Sequence, residues 1–305
     1  MELRKLLGNW TIENTGHSDA IPRWFDAFLI DRKSQDMSPG TLEFYRYKLM
    51  LIDKGLAAQN IRLMQGITPD AIRRLLVGLD ASGHNHGGIH QVYRVLRAFL
   101  NWYAREEELQ DWQSPLRNIK PPRLSVTPLK PIDMRDLSKM LAVCPDDLCG
   151  LRDVAIMLFL LDSGVRAAEL LALNLEDCDP VQGDVQVKSG KGRKTRSVAI
   201  GRKARKSLRQ YLKLRVDDCD ALWVTDDGHR LSYKGLLQML GRRGLKAGVA
   251  RPTPHDFRRA FALNCLRNGM DVYSLQRLMG HADLQVLRRY LAQTDDDLRE
   301  AHAKA

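Results

Sequence analysis

Five prolines fall inside one eighteen-residue stretch of this 305-residue chain: Pro115, Pro121, Pro122, Pro128 and Pro131. Proline fixes φ and donates no backbone hydrogen bond, so such a run is expected to stay extended and outside any core. No single core can then be built across residues 114–131. The chain is long enough for two domains instead. We read residues 1–18 as a short lead, 19–113 as a helical domain, 114–131 as a linker and 132–305 as a second domain.

The first domain reads as four helices. Trp24, Phe25, Phe28 and Leu29 recur at helical spacing between Ile21 and Arg32. Ser38-Pro39 and Thr68-Pro69 each offer a capping hydroxyl followed by a proline suited to a first helical turn. Val92, Val95, Leu96, Phe99 and Trp102 form one apolar stripe on a fourth helix from Ile89 to about Glu107. Just before it lies HNHGGIH, with His84, His86 and His90. Three imidazoles suggest a metal site, but the stretch holds no carboxylate or thiol, and its glycines predict a polar loop.

Charge narrows the class of partner. The net charge is +11, which favours a polyanion. Twelve Lys or Arg and no acid occur from Lys188 to Arg215, where a solvated face would normally mix signs. Double-stranded DNA is the expected partner. Lys120, Arg123 and Lys130 suit a linker lying along a phosphate backbone, letting two domains grip a duplex from opposite sides. No apolar run approaches the ~20 residues that span a bilayer, and MELRKLLGNW lacks a signal-peptide core, so a cytoplasmic, nucleoid-associated protein is expected. Five scattered cysteines without a C-x-x-C pair read as reduced thiols.

The second domain, beginning near Ile132, has a helix, Leu151 to Leu161, that is apolar nearly all round and should be buried. Asp162-Ser163-Gly164 ends it, Arg166 follows, and Glu169 lies one turn later, placed to orient the guanidinium. Residues 184–200 alternate as a hairpin with Lys191 between glycines at its tip. The G-x-x-x-x-G-K-[ST] phosphate loop is absent. Ala221–Val224 reads as a short strand, and Ser232 caps a helix over 233–246 that Gly248 stops. Lys188, Arg193, Lys194, Arg196, Arg242 and Arg243 are expected at the DNA surface. The whole is mainly α: a four-helix domain, then an α+β domain with a small antiparallel sheet.

The densest chemistry lies between Arg251 and Ala292. His255 and Arg258 stand three apart at a helix start behind Pro254. A second helical run, 272–279, stops at Gly280, and His281 follows. Asp283 can cap a last short helix that carries Tyr290. Two histidines, an arginine and a tyrosine on three short helices suit phosphoryl transfer. A phenol attacks phosphorus while cationic donors hold the non-bridging oxygens.

His255-x-x-Arg258, Gly280-His281 and Tyr290, nine residues beyond that histidine, resemble the motifs of the tyrosine recombinase (phage integrase) family, as does Ser163-Gly-Val-Arg166-Ala-Ala-Glu169 upstream. The resemblance spans about residues 20–290. It implies a SAM-like core-binding domain followed by a catalytic domain, and a catalytic set of Arg166, Lys191, His255, Arg258, His281 and Tyr290, with Glu169 in support. It further implies cleavage through a 3′-phosphotyrosyl bond, with Lys191 as general acid and His255 as base, and no cofactor or metal. Partners implied are a specific recombination site, a homo-tetramer at synapsis and accessory proteins, in integration, excision or dimer resolution. Arg259 stands where many relatives have histidine, and Leu291-Ala292 where threonine-histidine is common. The alternatives are a type IB-like topoisomerase and a non-catalytic DNA-binding regulator that keeps the fold. The tail from Thr294 to Ala305 has few apolar residues of its own, and Leu298 is expected to dock on a neighbouring subunit.

Overall fold

A computed structural model describes residues 19–123, 130–188 and 195–280. Residues 19–123 belong to one compact unit and the described residues from 130 onward to another.

The first unit is built on α1 (Ile21–Ser34), α2 (Pro39–Ala57), α3 (Pro69–Ala81) and α4 (His86–Glu106). Their starts follow from capping. Ser38 accepts the Thr41 amide, Thr68 the Ala71 amide and Asn85 the Gly88 amide, each satisfying an amide the first turn leaves without a partner. Phe25 and Phe28 of α1 pack edge-on against Phe99 of α4, with ring centroids 4.7 and 5.7 Å apart. Leu49, Ile52 and Leu56 of α2 and Ile72 of α3 complete this core.

Two expectations change here. HNHGGIH is a loop only at His84 and Asn85: α4 already begins at His86, and both glycines lie in its first turn. Asn85 explains this, because a strong cap tolerates poor helix formers next to it. The His90 Nδ1–H donates to the Pro122 carbonyl at 2.9 Å, so that ring holds the chain. The proline-rich stretch also joins the core at its near end. Leu116 and Ile119 are buried in the first unit, and the Tyr93 hydroxyl donates to the Ile119 carbonyl at 2.8 Å. A turn at Ser114–Ile119 sets these two apolar side chains on one side, which composition alone did not reveal.

The second unit is organised around α6 (Leu148–Ser163), which follows α5 (Met134–Ala142) and precedes the short α7 (Ala167–Ala172). As its uniform hydrophobicity predicts, α6 is central and packs against α8 (Arg202–Lys213) and α10 (Pro254–Arg267). The hairpin β1 (Asp184–Val187) and β2 (Arg196–Ala199) is antiparallel, with Val185 opposite Val198 and Val187 opposite Arg196. After α9 (Tyr233–Lys246) and α10 comes α11 (Val272–Met279). The expected strand at Ala221–Val224 is not a strand. It is fully buried but makes only isolated bridges, Ala221 with Asn174 and Val224 with Arg230. The Val224 amide donates to the Tyr211 hydroxyl instead of to a ladder, and Trp223 stacks on the Tyr211 ring. No helix among the described residues is long and apolar enough to cross a membrane.

Candidate active site

Gly164 sets the geometry. It closes α6 in the left-handed region at φ 58°, and a Cβ there would stand 2.1 Å from the Phe261 ring. Only glycine meets both demands. The chain then turns so that Arg166 caps α7, and its amide donates to Glu169 Oε2 at 2.8 Å. On α10, Arg258 shares the buried face with Phe257 and Phe261 and is only 2% exposed. It donates through Nη1 to the Gly164 carbonyl and through Nη2 to the Met279 carbonyl, the latter at 2.7 Å.

The end of α11 is where these elements meet. The last carbonyls of a helix have no partner within it and carry the negative end of its dipole. Here each of three consecutive carbonyls takes a different arginine. Arg196 Nε donates to Leu278 at 2.9 Å, Arg258 Nη2 to Met279 and Arg166 Nη2 to Gly280 at 2.9 Å. Gly280 makes this approach possible, at φ 63° and with Arg196 Nη1 3.2 Å from where a Cβ would lie. His281 is the next residue in the sequence.

Glu169 ties the cluster together. Arg166 Nη1 donates to Oε1 at 3.0 Å, and Arg196 reaches both oxygens, at 2.9 and 2.7 Å. Burial alone would raise the pKa of this carboxyl. The hydrogen bonds from Arg196 and from the Arg166 amide, with the charges of both arginines, more than reverse that and hold it at about 2. His255 sits on the exposed side of the first turn of α10. Crowding by the protein lowers its pKa, the positive charges of Arg259, Arg258 and Arg166 lower it further, and Asp256 opposes them. These effects favour the neutral imidazole, the form a proton acceptor needs.

The phage integrase family model matches residues 130–297. The chain is 30% identical over 298 residues to tyrosine recombinase XerA of Pyrococcus furiosus, covering 96% of each chain. The chain belongs to the phage integrase family. It is a tyrosine-type site-specific recombinase, an enzyme that cuts and rejoins DNA strands, and neither alternative is favoured. Two solved recombinases share its fold. The XerH recombinase, in a post-cleavage complex with a palindromic difH substrate, has a TM-score of 0.71 at 19% identity, over 92% of this chain and 84% of that one. The lambda integrase tetramer on a Holliday junction has a TM-score of 0.73 at 16% identity, over 92% and 84%.

Within this recombinase, the described residues bring Arg166, Glu169 and Arg258 together, with His255 on the same helix as Arg258. Lys191, Arg193, Lys194, His281, Tyr290 and the tail with Leu298 lie outside the described residues. Among the described residues no three His, Cys, Asp or Glu side chains are grouped to hold a metal ion.

Several residues expected at the DNA surface are engaged by acids of the same unit. Arg196 is not a surface group: 15% of its side chain is exposed, and it spans Glu169 and Leu278. Arg243 is buried and paired with Asp153, through Nε at 2.9 Å and Nη2 at 2.7 Å. Lys188 is exposed but held by Glu176 at 2.9 Å and Asp177 at 2.6 Å. Three cations of the one-signed block thus meet acids: Lys188 and Arg196 pair with residues from elsewhere in the chain, and Arg215 with Asp217. Arg242, Lys246, Lys120 and Arg123 are exposed.

Both internal arginines carried a signal. Arg196, Val198 and Ile200 share strand parity, which aims all three at the core. Arg243 continues the Leu236–Met239–Leu240 stripe at i+7, i+4 and i+3.

Proposed function

We propose that Arg166 and Arg258 form the phosphate-binding half of the strand-cleavage site. The observation that supports this is their convergence on adjacent carbonyls, Met279 and Gly280, immediately before His281. Carbonyl oxygens there take hydrogen bonds that non-bridging phosphate oxygens can take in their place. Two guanidinium groups offset the charge that otherwise repels an attacking anion.

In this reading Tyr290 is the nucleophile. An unperturbed phenol has a pKa of about 10, so it needs a base as it attacks, and neutral His255 accepts its proton. The tyrosyl oxygen bonds to phosphorus, the bond to the 5′ oxygen breaks, and Lys191 donates a proton to that leaving group. His281 donates to a non-bridging oxygen. One phosphodiester replaces another, so the reverse attack by a 5′ hydroxyl rejoins the strand. Residues 19–113 serve as the core-binding domain, 114–131 as the linker and 132–305 as the catalytic domain. Four copies assemble on two specific sites in the nucleoid, as the lambda integrase tetramer does on its junction.

Covalent trapping tests the site. DNA recovered covalently from the wild-type protein supplies the target sequence. Tyr290→Phe should still bind that duplex while yielding no protein–DNA adduct on a denaturing gel; an adduct would remove Tyr290 from its role. Truncation after Gln293 tests the assembly. It should leave single-site binding nearly unchanged and slow exchange between paired sites, whereas full-length rates would leave Leu298 without a docking role.

A further inference from the structure

Arg196 stands apart from the six residues assigned to cleavage, yet its side chain engages the frame around Arg166. It is the first residue of β2, five positions after Lys191 in the sequence. Its three nitrogens reach Leu278 on α11 and both oxygens of Glu169 on α7. Glu169 in turn holds the amide and guanidinium of Arg166. One side chain therefore connects three separate segments: the hairpin, the turn that presents Arg166 and the helix end that leads to His281. A guanidinium is suited to this because its planar fork satisfies a carboxylate through two parallel bonds and still has a third nitrogen to offer.

We propose that Arg196 is a positioning residue for strand cleavage, locking Glu169 and the end of α11 into one frame so that Arg166 meets the scissile phosphate correctly placed. Its guanidinium acts on Arg166 through Glu169 and does not touch the DNA. The inference rests on the assignment of Arg166 and Tyr290 to the cleavage site.

The test measures single-turnover adduct formation and duplex affinity separately. The probe is a nicked duplex carrying the sequence trapped on the wild-type protein. Arg196→Met should bind it within about twofold of wild type while cleavage slows on the order of 100-fold, the size expected when a catalytic group is misplaced by about an ångström. Arg196→Lys should recover about tenfold of that loss, because an ammonium meets Glu169 at one point and cannot reproduce the fork. In the Glu169→Gln background, Arg196→Met should cost little more, since both changes break the same link.

Wild-type cleavage by Arg196→Met would overturn the proposal. So would an affinity loss that accounts for the slower cleavage and lowers the salt dependence by about one phosphate contact, because Arg196 would then be a DNA contact. Should the Met variant fail to fold, Arg196→Lys decides: cleavage at the wild-type rate overturns the proposal, and slowed cleavage at unchanged affinity supports it. An adduct formed by Tyr290→Phe would instead sink the underlying assignment.

Discussion

Among the described residues of the second unit, two clusters set one carboxylate between two arginines, and they differ in access. Asp153 is 1% exposed. It accepts Arg152 on one oxygen, at 3.1 and 2.7 Å, and Arg243 on the other, at 2.9 and 2.7 Å. The remaining arm of Arg152 ends on the Val224 carbonyl. Glu169 is similarly placed between Arg166 and Arg196, but 32% of the Arg166 side chain is exposed and its free arm ends on a helix terminus. The first trio is sealed and fastens α6 to α9. The second leaves one guanidinium partly exposed, the one proposed to bind phosphate. Each has one carboxylate and two guanidinium groups; access to one arm separates the sealed cluster from the one proposed to bind phosphate.

Breaking the sealed trio should have the largest effect. Asp153→Ala leaves two buried guanidinium groups without their carboxylate, at a cost of about 3–5 kcal/mol in denaturant-induced unfolding. Cleavage per folded molecule should be unchanged. Glu169→Gln keeps the shape and a hydrogen-bonding oxygen, so about 1–2 kcal/mol of stability should go. Cleavage should nonetheless fall on the order of 100-fold. Equal stability losses with equal cleavage would erase the distinction between the clusters.

Acidity sharpens it further. The folded pKa of Glu169, about 2, lies below its ordinary value of 4.5. Its contribution is therefore complete above the ordinary carboxylate range and is lost as pH falls towards 2. Acid titration of Glu169→Gln should lack that part of the wild-type stability loss.

The smallest expected effect concerns His255. Arg259→Gln removes one positive neighbour and should raise the His255 pKa towards its ordinary value. Protonation, and with it loss of the base, then begins at higher pH, so the acid side of the cleavage profile should move upward. An unmoved profile would take His255 out of the proton-transfer step.

Much of this was legible in the sequence because it is periodic or local. Helix starts at Ser38, Thr68 and Ser232 follow from side chains adjacent to the amides they satisfy. The Gly164–Arg166–Glu169 turn is local as well. What escaped was set by distant partners. Asp153 lies 90 residues from Arg243, and Glu169 lies 27 from Arg196. A count of charges along the chain assigns both arginines to the surface. Strand parity and the helical stripe point inward, and where charge and position disagree, position proves the better guide. Ala221–Val224 escaped for another reason: its apolar run needs burial, and tight packing around Tyr211 and Trp223 supplies burial without a ladder.

The three carbonyls that close α11 bear on fidelity. An acceptor tethered a few bonds away competes at an effective concentration far above that of any free solute. On the proposed assignment, the DNA-free enzyme is therefore held off by its own main chain. A nucleotide, a loose strand end or inorganic phosphate makes too few contacts to displace Met279 and Gly280 from the two arginines. A duplex gripped along its length presents its diester with a comparable local advantage and can displace them. Inorganic phosphate should accordingly inhibit cleavage no more than chloride of equal ionic strength. Selectivity of this kind needs no reading of bases: the self-occupied donors yield only to a backbone already anchored elsewhere.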